Sequence, residues 1–154
     1  MSFSIKRADW LLLIVATAYD QRLAHNSYLT PSVLQKSLFI LGREHPNDVG
    51  PGFYEFSKDA YGPCCVDIYR DAEEHASNGL IVIQKNKRGG WKEYSVTVRG
   101  WQRAAELREA IGPDVAEYIA DTLHWARGLS FQALVTHVFR EYPEYREKAV
   151  FQNT

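Results

Sequence analysis

The side chains with the most reactive chemistry in this chain are two adjacent cysteines, Cys64 and Cys65. Adjacent cysteines rarely pair, because the disulfide geometry is strained, and two thiolates alone do not complete a tetrahedral zinc site. We predict that Cys64 lies in the first turn of a helix, where exposed amides and the helix dipole can lower the pKa of a thiol. Nothing nearby in sequence supplies a base or a resolving cysteine, so a packed or merely exposed thiol is the preferred interpretation. We expect both thiols to stay reduced, which is typical of a cytoplasmic protein.

No other set of residues has the spacing of a catalytic or metal site. The histidines are isolated in the sequence: His25, His45, His75, His124 and His137. Gly89-Gly90 lies in a predicted hairpin instead of between a strand and a helix, so it does not resemble a phosphate-binding loop. We therefore predict no catalytic residue, no metal, no cofactor and no enzymatic activity. An enzyme with a dispersed site is a distant third hypothesis.

Two charged segments of opposite sign suggest contacts with macromolecules. The outer face of a predicted helix carries Asp67, Asp71, Glu73 and Glu74 against Arg70. DNA affinity depends on Lys and Arg neutralising phosphates, so this acidic face argues against a DNA-reading helix. It instead favours a protein partner.

The second segment is a basic hairpin, which we call the basic wing: Lys85, Lys87, Arg88, Trp91, Lys92 and Arg99. Arg103 follows, and Glu93 is the only acid among them. The basic wing can grip a phosphate backbone or an acidic protein. The other interpretation is a solvated turn whose charges merely keep the hairpin soluble.

The triplet Tyr61-Gly62-Pro63 also has two interpretations. Glycine permits an unusual backbone angle and proline presets a first helical turn, so the triplet can be purely structural. Alternatively, Tyr54 and Tyr61 are exposed aromatic side chains that anchor a protein partner, because tyrosine is enriched at interaction hot spots. The predicted partner-binding residues are therefore Tyr54, Tyr61, Asp67, Arg70, Asp71 and Glu74.

The elements that position these residues belong to one domain. The chain has 154 residues, 45% of them hydrophobic, and a formal net charge of −1, which gives no global attraction for nucleic acid or acidic membranes. The apolar run from Trp10 to Ala16 is too short to span a bilayer, so we interpret it as part of a core helix and expect no membrane association.

The central elements are a strand over Phe53–Phe56, a turn at Tyr61-Gly62-Pro63 and a helix over about Cys64–Asn78. A hairpin follows, from Leu80–Ile83 through its tip to Tyr94–Val98. A helix that leads directly into a two-stranded ribbon is the core of a winged-helix domain.

The remaining elements are helices, joined by polar loops. One should run from about Ala8 to Ala24, and a second begins at Thr30-Pro31 and stops near Gly42. Arg43–Gly52 should be a polar loop. Three more helices begin at Thr97 or Val98, after Gly112, and after Ser130, with Trp101 and Phe131 among their inward residues. Residues 1–142 form the predicted domain, and 143–154 a tail.

Several short motifs resemble a known family. Leu34–Phe39 is similar to the leucine-rich second helix of the small YwgA-like proteins and of the related Panacea domain of SocA-like antitoxins. The segments Tyr61–Pro63, Gly79–Ile81 and Tyr142–Tyr145 are similar in order and spacing. The resemblance implies a winged-helix-like fold and, in the Panacea group, a protein that restrains a toxin or acts as an adaptor by direct contact.

The sequence thus predicts an α+β, mainly helical protein with a winged-helix-like core of three helices and a hairpin, plus C-terminal helices. We expect a non-catalytic regulator that recognises another protein, such as a toxin or a regulated target. The alternative is a DNA-binding transcriptional regulator that uses the basic wing, as a dimer that brings two basic tips together.

Overall fold

The protein is mainly helical, with two small antiparallel hairpins. A computed structural model describes residues 5–21 and 27–149. The helices are α1 (Arg7–Gln21), α2 (Pro31–Glu44), α3 (Pro46–Val49), α4 (Val66–Ser77), α5 (Val98–Ile111), α6 (Pro113–Arg127) and α7 (Phe131–Glu141), followed by a 3-10 helix at Pro143–Lys148. The strands are β1 (Ser57–Asp59), β2 (Gly62–Cys64), β3 (Ile81–Lys85) and β4 (Lys92–Val96).

The core is built around α1. Every residue from Trp10 to Ala18 is buried, and the helix packs against α2, α4, α5, α6 and β4. A helix that is apolar on all sides must be covered on all sides, and this one is. The prediction that this run is a core helix is therefore confirmed as far as Gln21, while its expected end at Ala24 lies outside the described residues.

A second, smaller cluster joins α2 to the C-terminal part of the chain. The ring of Phe39 makes edge contacts with Phe56, Tyr142 and Tyr145, at centroid distances of 5.3, 4.9 and 5.1 Å. The 3-10 helix also contacts β1 and β2. The residues after Tyr142 that we predicted as a tail therefore begin with a packed 3-10 helix, and residues 150–154 lie outside the description.

Local capping chemistry places several helix starts where the sequence predicts them. The hydroxyls of Thr30, Thr97 and Ser130 accept hydrogen bonds from the amides of Val33, Gly100 and Ala133. α2 continues two residues beyond the expected stop at Gly42. The segment predicted as a polar loop contains the short helix α3.

The first hairpin replaces the single strand, turn and helix start that the sequence predicts for this segment. Phe53–Phe56 is not a strand; the strand is Ser57–Asp59, and it pairs with Gly62–Cys64. The predicted turn residues Gly62 and Pro63 therefore lie in β2. Proline is tolerated there because both strands of a two-stranded sheet are edge strands. α4 accordingly starts at Val66 and not at Cys64, with Cys65 before its first turn.

The second hairpin is present as predicted, but its strands are shifted toward the tip: β3 begins at Ile81 instead of Leu80, and β4 ends at Val96 instead of Val98. β3 and β4 pair in register from Ile81 opposite Val96 to Lys85 opposite Lys92. Leu29, between α1 and α2, exchanges two backbone hydrogen bonds with Tyr94, at 2.8 and 2.9 Å. The segment around Leu29 therefore lies beside β4, which pairs with β3 on its other side.

Candidate functional site

Tyr61 is held at the surface by the first hairpin. The two strands pair Asp59 with Gly62, so the turn consists of Ala60 and Tyr61. Gly62 is buried and has φ +105°, a backbone angle that residues with a Cβ rarely adopt. The Asp59 carboxylate accepts a hydrogen bond from the Ala60 amide at 2.7 Å. Tyr61 consequently projects outward, 45% exposed, from a well-defined turn.

The structure brings a second exposed aromatic ring to Tyr61. Phe131, the first residue of α7, is 48% exposed, and its ring meets that of Tyr61 at a centroid distance of 5.3 Å and an angle of 67°. The prediction that Phe131 faces inward is therefore wrong. Its place at the start of a helix allows the ring to turn back toward the hairpin instead of following the buried stripe of Leu134, Val135 and Val138.

Tyr54, the other predicted aromatic anchor, is not exposed. It is only 5% exposed, and its hydroxyl donates to Asp71 at 2.6 Å. The Arg7 guanidinium lies 5.0 Å from the ring centroid and donates to the same carboxylate at 3.1 Å. Burial, together with the hydrogen bond to Asp71, raises the pKa of Tyr54 above its ordinary value. The expectation that Tyr54 is exposed is wrong, and Tyr54 and Asp71 instead join α4 to the start of α1.

The acidic face of α4 is compensated by basic side chains from three elements. Asp67 lies 3.4 Å from Arg7 and 3.1 Å from Arg70. Glu73 accepts from Lys92 of β4 at 3.2 Å. Glu74 is exposed on the same helix. The acidic face expected from the sequence is therefore partly neutralised, because basic side chains distant in sequence lie beside three of its four acidic residues.

The basic wing is exposed and its tip is well ordered. The Asn86 side chain accepts from the amides of Arg88 and Gly89, at 2.9 and 2.8 Å. The Trp91 ring fills the space where a side chain at position 89 would stand.

The tip and the flanks of the basic wing differ in how their charges are used. Lys85, Lys87 and Arg88 are exposed, and none of them forms a salt bridge with the described residues. Lys92 is engaged by Glu73, and the Arg99 guanidinium lies against Gly79. The predicted basic surface is thus present chiefly at the tip.

Cys64 lies in β2, so the premise for a reactive thiol is wrong. It is outside the first turn of α4 and lacks the helix-terminal environment that lowers a thiol pKa. Burial and the nearby Asp59 raise the pKa of Cys64, against an opposing effect of Lys36. A raised pKa leaves less thiolate at neutral pH.

Lys36 is a buried charged residue that the sequence does not reveal. It is 5% exposed, next to Gly62, and burial lowers its pKa to about 8. Its neighbours in α2, from Leu34 to Leu41, are all buried. A fully covered helix gives no polar face that would single out one lysine, so no periodic signal identifies it.

Two of the isolated histidines, His124 and His137, lie on α6 and α7. The ring of His137 packs edge-on against Trp125, at 4.6 Å, and His124 is exposed. Within residues 5–21 and 27–149, no three His, Cys, Asp or Glu side chains are grouped so as to hold a metal ion. None of the helices in this part of the protein is long and apolar enough to cross a bilayer.

No protein-family model matches the chain, and no curated protein matches it significantly.

Proposed function

We propose that this protein is a non-catalytic regulator, antitoxin-like or adaptor-like, that binds another protein through the surface around Tyr61 and Phe131. The observation that carries the proposal is an exposed pair of aromatic rings: Tyr61, on the turn before Gly62, and Phe131, at the start of α7. Exposed aromatic side chains on a rigid element lose little conformational entropy on binding, and tyrosine is enriched at the energetic centres of interfaces.

The rest of the hairpin supports this role for the pair. Behind Tyr61, the buried Gly62 packs near the ring of Phe139, so the turn is backed by α7. The same helix carries Phe131. Because one helix supports both rings, their relative position is set before any partner arrives, which favours tight association.

The proposal is tested by capture and then by measured affinity. The tagged protein captures a partner from the native cell; the partner is then purified, and its affinity is measured by calorimetry. Replacing both rings, Tyr61→Ala with Phe131→Ala, should weaken binding by about 2 kcal/mol or more. The control is Val98→Ser, which alters another exposed apolar side chain at the start of a helix.

Two results would contradict the proposal. One is unchanged affinity in the double variant. The other is an equal loss in Val98→Ser, which would show that the effect is not specific to this surface.

We propose as the second candidate a DNA-binding regulator with a winged-helix core formed by α1, α2, α4 and the β3–β4 hairpin. The bridge between Leu29 and Tyr94 favours this arrangement, because it lays the segment between the first two helices alongside the hairpin. The observation that favours DNA is the tip of the basic wing. Lys87 and Arg88 are exposed on a turn held by Asn86, next to the exposed Lys85 at the end of β3.

Salt dependence separates this candidate from the first. Binding to a pool of random duplex DNA should weaken steeply with salt, and Lys87→Ala with Arg88→Ala should reduce the log–log slope by about 2. Arg140→Ala with Lys148→Ala removes the same charge from another exposed region and should leave the slope unchanged. Absence of binding at low salt would eliminate the candidate.

A further inference from the structure

A cleft of about 500 Å³ lies between α2, α6 and α7, away from both surfaces described above. Its size falls in the range of sites that bind small ligands. The residues that line it are Ile40, Glu44, Tyr118, Asp121, Thr122, Trp125, His137, Glu141 and Tyr142. Phe131 and Glu141 are at opposite ends of α7, about 15 Å apart along the helix, so this cleft is distinct from the Tyr61–Phe131 surface.

The cleft is strongly acidic. Glu44, Asp121 and Glu141 line it, and no Lys or Arg is among the described lining residues. Glu44 and Glu141 are also the last residues of α2 and α7. The C-terminal ends of helices carry partial negative charge, so two helix dipoles add to the three carboxylates.

Aromatic rings form much of the remaining wall. Tyr118, Trp125 and Tyr142 line the cleft, and Trp125 is 37% exposed. The Tyr118 hydroxyl donates to Glu44, and burial together with this hydrogen bond raises the pKa of Tyr118. The tyrosine therefore remains a neutral donor and fixes the carboxylate in place.

This combination of groups selects a cation, and in particular a guanidinium. Carboxylates accept the paired N–H groups of arginine, while aromatic faces attract its planar charge. One wall residue already makes such a contact: the Arg43 guanidinium lies 4.8 Å from the centroid of the Tyr142 ring. Arg43 is itself paired with Glu144 at 3.1 Å and is not among the lining residues, so it does not neutralise the three carboxylates.

We propose that this cleft binds an arginine side chain from an exposed segment of a protein partner. A metal ion is the less suitable occupant, because the described carboxylates do not group as metal ligands. The site is independent of the interaction proposed for Tyr61 and Phe131, and each can fail without the other.

The test measures binding of a capped peptide, Gly-Gly-Arg-Gly-Gly, to the intact protein by NMR. The reporter is the Trp125 indole N–H resonance, assigned by its loss in Trp125→Phe. We expect a saturable shift of this resonance. The same peptide with citrulline in place of arginine keeps the shape and loses the charge, and should cause no saturable shift.

Two matched double variants test the carboxylates. The double variant Asp121→Asn with Glu141→Gln should lower the affinity for the arginine peptide by about tenfold or more. Glu109→Gln with Glu117→Gln removes the same charge from exposed positions outside the lining and should retain wild-type affinity.

The proposal is overturned by any of four results. These are no saturable shift with the arginine peptide, an equal shift with the citrulline peptide, equal weakening in both double variants, or spermidine binding more tightly than the peptide at the same resonance. The last would identify the cleft as a site for small polyamines. The citrulline comparison uses the unaltered protein, so the test remains decisive even if the first double variant fails to fold.

Discussion

The two hairpins of this protein share a topology and differ in what holds them and in what they present. The first has strands of three residues and contacts α2, α7 and the 3-10 helix. The second has strands of five residues and contacts α1, α2, α4 and α5. The first presents an aromatic ring at its turn, whereas the second presents Lys85, Lys87 and Arg88.

The difference shows two ways of fixing a short ribbon. The first hairpin depends on packing from behind, with Gly62 and Pro63 buried and Gln35 bonded to the backbone of Cys65. The second is continued by backbone hydrogen bonds, from Leu29 to Tyr94 and from Thr97 to Leu80. An isolated two-stranded hairpin is marginally stable, so each requires such support. The two functions proposed above therefore depend on the chemistry of the two tips and not on the fold of the ribbons.

The largest effect on stability is expected where the second hairpin meets α5. Gly100 is buried, and a Cβ there would lie 2.0 Å from the carbonyl oxygen of Leu80 and 2.7 Å from Val96. Because backbone cannot move aside as a flexible side chain can, Gly100→Ala should lower the free energy of unfolding by about 3 kcal/mol.

Chemical denaturation measures this change. Gly52→Ala is the control, since nothing lies within 4 Å of its Cβ position, and it should change stability by less than about 0.5 kcal/mol. A Gly100→Ala variant as stable as the control would show that the hairpin and α5 do not approach as described.

The next largest effect is expected in the support of the first hairpin. The Gln35 side chain accepts from the Cys65 amide and donates to the Cys65 carbonyl, both at 2.9 Å and both buried. Gln35→Leu keeps the volume but leaves the buried Cys65 amide unpaired. The Cys65 carbonyl loses one of its two donors and keeps the Ile68 amide, at 3.2 Å. The change should cost about 2 kcal/mol.

Hydrogen exchange gives a local measurement of the same loss. The Cys65 amide should exchange faster in Gln35→Leu, while amides of the second hairpin should change much less. Gln84→Leu, at an exposed position of β3, is the matched control and should alter neither stability nor exchange at Cys65. Unchanged exchange at Cys65 in Gln35→Leu would contradict the predicted support.

A stabilising change is expected behind the first hairpin. Burial lowers the pKa of Lys36 from its ordinary 10.5 to about 8, so folding penalises the charged amine at neutral pH. Between about pH 8 and 10.5 the unfolded chain binds the extra proton, and stability therefore rises with pH. Lys36→Met should be more stable than the wild type by about 1–2 kcal/mol at pH 7, and this advantage should vanish near pH 10.5.

The difference between the two unfolding free energies, measured across this pH range, isolates Lys36 from the other titrating groups. Lys87→Met, at the exposed tip of the second hairpin, should show no pH-dependent difference from the wild type. A constant advantage for Lys36→Met at every pH would mean that packing, and not charge burial, explains it.

The parts of the fold that follow from local chemistry are predictable from sequence. Thr30, Thr97 and Ser130 cap helices because their hydroxyls satisfy free amides one turn away, and the second hairpin follows from alternating apolar residues around a Gly-Gly tip. These signals involve residues close together in the chain.

The predictions that were wrong concern residues whose positions depend on contacts distant in sequence. Phe53–Phe56 has the composition of a strand, but Tyr54 is taken into the core by Asp71 and Arg7, and Phe56 by Phe39. Trp101 was expected to face inward and is 41% exposed, with its indole donating to Asp20 of α1. The ring beside Tyr61 comes from α7, seventy positions along the chain, so sequence pattern supplied one half of the candidate surface and only the fold supplies the other.

The smallest effects are expected at the ion pairs that flank the two hairpins. Lys58 of β1 lies 2.9 Å from Glu147 of the 3-10 helix, and Lys92 of β4 lies 3.2 Å from Glu73 of α4. All four side chains are largely exposed, where Coulomb attraction is screened and is offset by lost side-chain entropy. Lys58→Met and Lys92→Met should therefore leave the Tm unchanged within error, in low and high salt alike. A clear decrease in Tm for only one of the two variants would show that its hairpin depends on the surface ion pair and not on the buried and backbone contacts described above.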